Sequence, residues 1–145
     1  MRAVIAGMLA ACLAAGAAAQ DDPPERAPEP PPPLSDIVTR AQATDPWAVP
    51  IVSVRCTSFY ISAAAIEKEE RPAIADQYEA NAEVFLSRAV ALSREKKDVL
   101  VSQVTRLSRT YYLLAQAAQE TGGDAMGHPL LRADFDFCAR LARQS

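Results

Sequence analysis

Apolar residues recur at intervals of three and four positions through most of residues 35–145, which is the spacing of one face of an α-helix. A short stretch begins at Ser35, the candidate N-cap, and runs to Thr44. Four longer stretches follow, at about 51–69, from 72, from 98 and from 129. No segment alternates apolar and polar residues over the length of a strand. The pattern predicts an all-α domain at 35–145, a small bundle of four to five helices.

Prolines, glycines and charges mark the expected helix ends. Pro72 disfavours helical angles at Arg71 and suits the first turn of the next helix. Gly122 and Gly123 are placed to end the fourth helix. We expect a turn at 93–98, with Asp98 as the cap. The apolar phase also continues through 93–98; one helix of roughly 50 residues would then form, far beyond the usual ~11 to 12.

Residues 1–19 form a separate apolar segment after an early charge at Arg2. A positive start, an apolar run and small residues at its end are shared by secretory signal peptides, so we expect cleavage between Ala19 and Gln20. A retained membrane span needs roughly 20 apolar residues, and charges and prolines begin directly after residue 20. Residues 9–12 also look like a lipoprotein lipobox, which would make Cys12 a lipid anchor, although the apolar run before it is short.

Residues 20–34 are predicted to be a disordered, proline-rich linker. Seven of the eleven residues from Pro23 to Pro33 are proline, which fixes φ and removes the amide donor. Such a segment runs as extended polyproline II rather than as helix or central strand. We interpret it as a spacer, with docking into a proline-reading groove as the alternative.

Two cysteines, Cys56 and Cys138, remain after the expected cleavage, and both lie on apolar helix faces. In an oxidising compartment two such thiols pair. The bond would join the C-terminal helix to the second helix. A redox-active pair is the alternative, but such cysteines usually lie in a CxxC motif or an electropositive, partly exposed setting.

Composition and charge narrow the function classes. Fifteen Lys and Arg against eighteen Asp and Glu leave a formal charge of −3, without the basic excess of a nucleic-acid binder. His128, the one imidazole, is placed to cap the last helix, and no nucleophile-elbow motif accompanies it. Asp134 and Asp136 are two positions apart and point in different directions on a helix. No glycine-rich phosphate loop is present. We therefore expect no enzyme, no cofactor, no metal and no nucleic-acid partner.

Trp47 and Tyr112 are the candidate interaction residues. Trp47 lies at a helix junction between Pro46 and Pro50, and tryptophan is enriched at interface hot spots, although a plug over the end of a core also explains it. Tyr112 follows Tyr111 about 100° around its helix, so one of the two rings faces sideways or outward.

Together these features predict a periplasmic or secreted, non-enzymatic helical protein, with no membrane span after cleavage, that binds an unidentified protein partner or assembles in the cell envelope. One alternative is a carrier of a small apolar ligand in a groove between alanine-rich helices. Another is an envelope protein anchored through a lipid on Cys12. An enzyme that uses Asp or Glu ranks last.

Overall fold

The computed structural model describes residues 28–144, and within this range the chain forms five α-helices and no strand. The all-α class and the small bundle are confirmed. Two single turns of 3₁₀ helix, Pro46–Ala48 and Ala125–Gly127, precede the second and the last helix. The helices are α1 (Leu34–Arg40), α2 (Pro50–Glu67), α3 (Pro72–Leu92), α4 (Lys97–Glu120) and α5 (Pro129–Ala142).

Helix α2 is the centre of the bundle. Every residue from Val52 to Ala64 is buried, so the helix is enclosed on all sides, as is typical of a central helix rather than of an amphipathic surface helix. Two of its buried hydroxyls bond within the helix: Thr57 donates to the carbonyl of Ser53 at 2.8 Å, and Ser58 donates to that of Val54 at 2.8 Å. These two polar side chains therefore lie in the core without losing their hydrogen bonds.

Aromatic rings connect α2 to its neighbours. The Phe59 ring centroid lies 5.6 Å from that of Tyr111 on α4 and 5.9 Å from that of Phe135 on α5. The Tyr60 ring lies 5.8 Å from Phe85 on α3. Pairs at these separations add to the stabilisation from burial alone. Two adjacent residues of α2 thus join it to the three other long helices.

Small polar residues form another part of the contact between α2 and α4. The Ser62 hydroxyl lies 2.6 Å from the carbonyl oxygen of Ser108, and the Ser108 hydroxyl donates to the carbonyl of Ser58 at 3.2 Å. Helix separation depends on side-chain size at the contact, so serines on both helices permit a close approach.

Several helix boundaries agree with the sequence pattern. The chain breaks between α3 and α4, so the alternative of one long helix is wrong. Pro72 and Pro129 each begin a helix. His128 caps α5, because its Nδ1 accepts a hydrogen bond from the backbone N–H of Leu130 at 3.2 Å.

Two predicted caps are wrong. Helix α1 begins at Leu34 rather than after Ser35, and Pro33 occupies the N-cap position without a side-chain bond. Asp98 lies inside the first turn of α4, where its negative charge interacts favourably with the positive end of the helix dipole. The N-cap is Lys96. Helix α1 also ends at Arg40, before the expected Thr44, because Gln42 takes a left-handed φ of 51°.

Cys56 on α2 and Cys138 on α5 are paired, with sulfur atoms 2.03 Å apart and Cα atoms 5.6 Å apart. Both residues are fully buried. As predicted, the pair joins the C-terminal helix to the central helix, across 82 positions of sequence. Its buried setting differs from the exposed, electropositive setting usual for catalytic redox cysteines.

The signal peptide, its cleavage between Ala19 and Gln20, the lipid anchor at Cys12 and residues 20–27 of the linker all lie outside the described residues. They stay predictions. Of the helices in residues 28–144, none combines the length and the apolar character that a bilayer span requires.

Candidate functional site

Three polar side chains from three helices meet inside the bundle: Arg55 of α2, Tyr111 of α4 and Asp134 of α5. Their exposed fractions are 2%, 1% and 0%. The Nε of Arg55 donates to the Tyr111 hydroxyl at 2.9 Å, and its Nη2 donates to Oδ2 of Asp134. The Tyr111 hydroxyl donates to the same Oδ2 at 2.5 Å. Paired and bonded in this way, the two charges meet the condition for burial. We call these three residues the buried charge cluster.

Tyr111 serves this cluster as a neutral donor. Burial, and then the negative charge of Asp134, raise the pKa of Tyr111 far above its ordinary value of 10.0, while Arg55 opposes the shift. The hydroxyl therefore stays protonated and donates a hydrogen bond to the carboxylate. Since all three side chains are enclosed, a substrate in solution does not reach them in this conformation.

The same cluster holds the main chain at the end of the proline-rich segment. Arg55 Nη1 donates to the carbonyl oxygen of Pro32 at 2.5 Å, and the backbone N–H of Leu34 donates to Oδ1 of Asp134 at 2.9 Å. Leu34 is fully buried. We call residues 28–34 the strap. Its last residues, which the sequence analysis placed in the linker, contact the bundle.

Trp47 lies in the 3₁₀ turn before α2. The carboxylate of Asp45 accepts a hydrogen bond from the Trp47 backbone N–H at 3.0 Å and holds this turn. The indole stacks on Phe85 of α3 with 5.0 Å between ring centroids. The guanidinium carbon of Arg88 lies 4.2 Å from the indole centroid, within cation–π range. The half-buried ring is thus held by two residues of α3.

Exposed aliphatic side chains flank Arg88. Val84 and Leu92 lie one helical turn before and after it, on the same side of α3, and their exposed fractions are 41% and 44%. We call Trp47, Val84, Arg88 and Leu92 the Trp47 face. It combines a tryptophan, an arginine and exposed aliphatic groups, which is a composition typical of protein-binding surfaces.

Tyr112, the other candidate, is half-buried on α4 beside the enclosed Tyr111. The ring of Trp47 contacts Phe85 and Arg88 of α3. The structure therefore places the two candidates on different helices.

An open depression of about 440 Å³ lies over the first turns of α4. Its lining belongs to that helix alone and comprises Asp98, Val99, Ser102, Gln103 and Arg106. It is a surface feature, unlike the groove between helices that the carrier alternative needs.

The three side chains that the sequence analysis weighed for catalytic chemistry are in different settings. His128 caps α5, Asp134 belongs to the buried charge cluster, and Asp136 is exposed. Among the side chains of residues 28–144, no three of His, Cys, Asp or Glu are grouped as ligands of a metal ion.

The sequence analysis missed Arg55 and the role of Asp134. A signal was present, since each is a charged residue at a core position of an otherwise apolar stripe. Asp134 lies between Leu131 and Cys138, and Arg55 lies between Val52 and Phe59, at spacings of three and four positions. Opposite charges on two such stripes indicate a buried pair.

Comparison with protein-family models, with curated protein sequences and with solved structures finds no match for this chain.

Proposed function

We propose that this protein is an exported, non-enzymatic helical module that binds another protein in the cell envelope through the Trp47 face. The observation that carries the proposal is this surface, where a half-buried tryptophan packs against an arginine that is flanked along α3 by exposed aliphatic groups. Tryptophan and arginine dominate the binding energy of many interfaces.

The packing of Trp47 supports a binding role. Its ring already stacks on Phe85 and lies against Arg88, so binding costs little side-chain entropy. Val84 and Leu92 add apolar area that a partner would remove from water. The plug and the surface interpretations of Trp47 are thus compatible.

The non-enzymatic part rests on the enclosure of the buried charge cluster. Arg55 and Asp134 bond each other, Tyr111 and the strap. Groups committed in this way are structural rather than free for acid–base chemistry.

Export is supported by the signal-peptide pattern of residues 1–19 and by the pairing of Cys56 with Cys138, since disulfides persist in oxidising compartments. Lipid anchoring at Cys12 is the alternative form of the same proposal. Mass spectrometry of the purified N-terminus separates the two, because the first predicts a chain that begins at Gln20 and the second a diacylglyceryl group on Cys12.

Site-specific photocrosslinking in cells tests the binding surface. A photoreactive phenylalanine at position 84 or 92 is expected to capture the same protein partner, and Arg88→Glu is expected to weaken both adducts. The matched control position is Gln119, exposed on α4. An adduct of equal yield from position 119, or none from 84 and 92, contradicts the proposal.

A further inference from the structure

Two links between α2 and α5, one covalent and one ionic, lie side by side. Cys56 bonds Cys138, and the neighbouring Arg55 pairs with Asp134. On α2 the two residues are consecutive, and on α5 they are one helical turn apart. The disulfide therefore sets the separation and register of the two helices at the point where the ion pair forms.

The ion pair needs such positioning. Removing two charges from water costs free energy that their attraction repays only when the geometry is good and the remaining donors and acceptors are bonded. With Cys56 joined to Cys138, Asp134 is held one helical turn from the covalent link between the two helices. Without that link, the position of α5 on α2 would depend on side-chain packing such as that of Phe59 on Phe135.

The strap in turn depends on the ion pair. Five of the seven residues of the strap are prolines, which have no backbone N–H, so this segment has few of the donors with which helices and sheets hold a chain. Two main-chain bonds attach it, the Pro32 carbonyl to Arg55 and the Leu34 N–H to Asp134. Because Pro33 offers no capping side chain, Asp134 supplies the acceptor for the start of α1 from 100 positions away.

We propose that the strap is a redox-dependent closure. Oxidation of the Cys56 and Cys138 thiols by a disulfide-bearing oxidant forms their bond, and the two electrons and two protons pass to the oxidant, which becomes a dithiol. The bond places Asp134 beside Arg55, and the pair then docks the strap. In the dithiol form the helices stay folded and the strap is undocked. Only the oxidised protein therefore holds the strap against the bundle.

Hydrogen exchange of individual amides, measured by NMR on the purified chain, tests this closure. Protection of the Leu34 amide is compared with that of Val104, a buried residue of α4 away from the disulfide. In Cys56→Ala/Cys138→Ala, we expect Leu34 to lose about tenfold or more of its protection relative to Val104. Equal losses at both amides would mean general destabilisation and would overturn the proposal. Loss of the helices in this variant would overturn the proposal too, because the disulfide would then be needed for folding of the whole domain and not only for docking of the strap.

A second variant keeps the disulfide and removes the cluster. Arg55→Met/Tyr111→Phe/Asp134→Leu replaces the charges with apolar groups of similar size, an exchange that folded proteins tolerate. We expect Val104 to keep its protection and Leu34 to lose it. If Leu34 stays protected, its buried side chain rather than the cluster holds the strap, and the proposal is wrong. Asp136→Asn, an exposed change on the same helix, is expected to alter neither amide.

Discussion

The carboxylate of Asp134 on α5 pairs with the guanidinium of Arg55 on α2 in the interior of the bundle. Each partner also bonds the backbone of residues 32–34, so one ion pair joins two helices and the end of the proline-rich segment.

Replacing Asp134 with Asn is expected to lower the free energy of unfolding by about 3–5 kcal/mol, because it leaves the buried Arg55 charge without a partner. Urea denaturation measures the change. The matched control is Asp136→Asn on the same helix, which is exposed and is expected to stay within about 0.5 kcal/mol of the wild type. If the two variants are equally stable, the charge of Asp134 does not stabilise the bundle.

Replacing Cys56 and Cys138 with Ala is expected to cost about 2–5 kcal/mol, as for native disulfides of small secreted domains. The bond joins residues 82 positions apart, so its loss frees a long segment of the unfolded chain. Urea denaturation with and without a reductant measures this cost. The same reductant is expected to leave the stability of the Cys56→Ala/Cys138→Ala variant unchanged. A wild type that is equally stable in reductant would contradict the expectation.

Replacement of two serines of α2 with Ala is expected to change the free energy of unfolding in opposite directions. The Ser53 hydroxyl is the one buried side-chain polar atom without a hydrogen bond among the described residues. Ser53→Ala should therefore raise the free energy of unfolding by about 1 kcal/mol, since it removes an unpaired polar group. Ser62→Ala should lower it by about 1 kcal/mol, because it deletes the bond to Ser108. Urea denaturation midpoints of the two variants measure these changes. A lower stability in both variants would contradict the unpaired state of the Ser53 hydroxyl.

Alkaline pH is expected to destabilise the protein through Tyr60. Burial, reinforced by the neighbouring Tyr78, raises the pKa of Tyr60 from 10.0 to about 12. Between these values the unfolded chain has released the proton while the folded chain still binds it, so stability falls as pH rises. Below pH 10.0 the contribution is fully present.

Urea denaturation across this window measures the slope. Tyr60→Phe keeps the ring that packs on Phe85 and removes the titrating group. Its stability is expected to fall less steeply over the same range. Identical slopes in the two proteins would show that Tyr60 does not titrate as expected.

The sequence alone determined the features that depend on neighbouring residues. The apolar spacing placed the long helices, because a helix that buries one face must repeat apolar residues every three or four positions. Pro72 and Pro129 marked two helix starts, since proline lacks the amide that a helix start leaves unbonded. The disulfide was predictable because only Cys56 and Cys138 remain in the helical domain.

Only the tertiary structure decided which distant groups meet. Arg55 and Asp134 are 79 positions apart, and no local rule pairs two charges over that distance. The predicted cap at Ser35 failed for the same reason, because Asp134 binds the amide of Leu34 from another helix. The ring of Trp47 likewise packs against Phe85 and Arg88 of another helix, α3. These contacts follow from how the helices pack, and packing depends on the shape of the whole core rather than on any one segment.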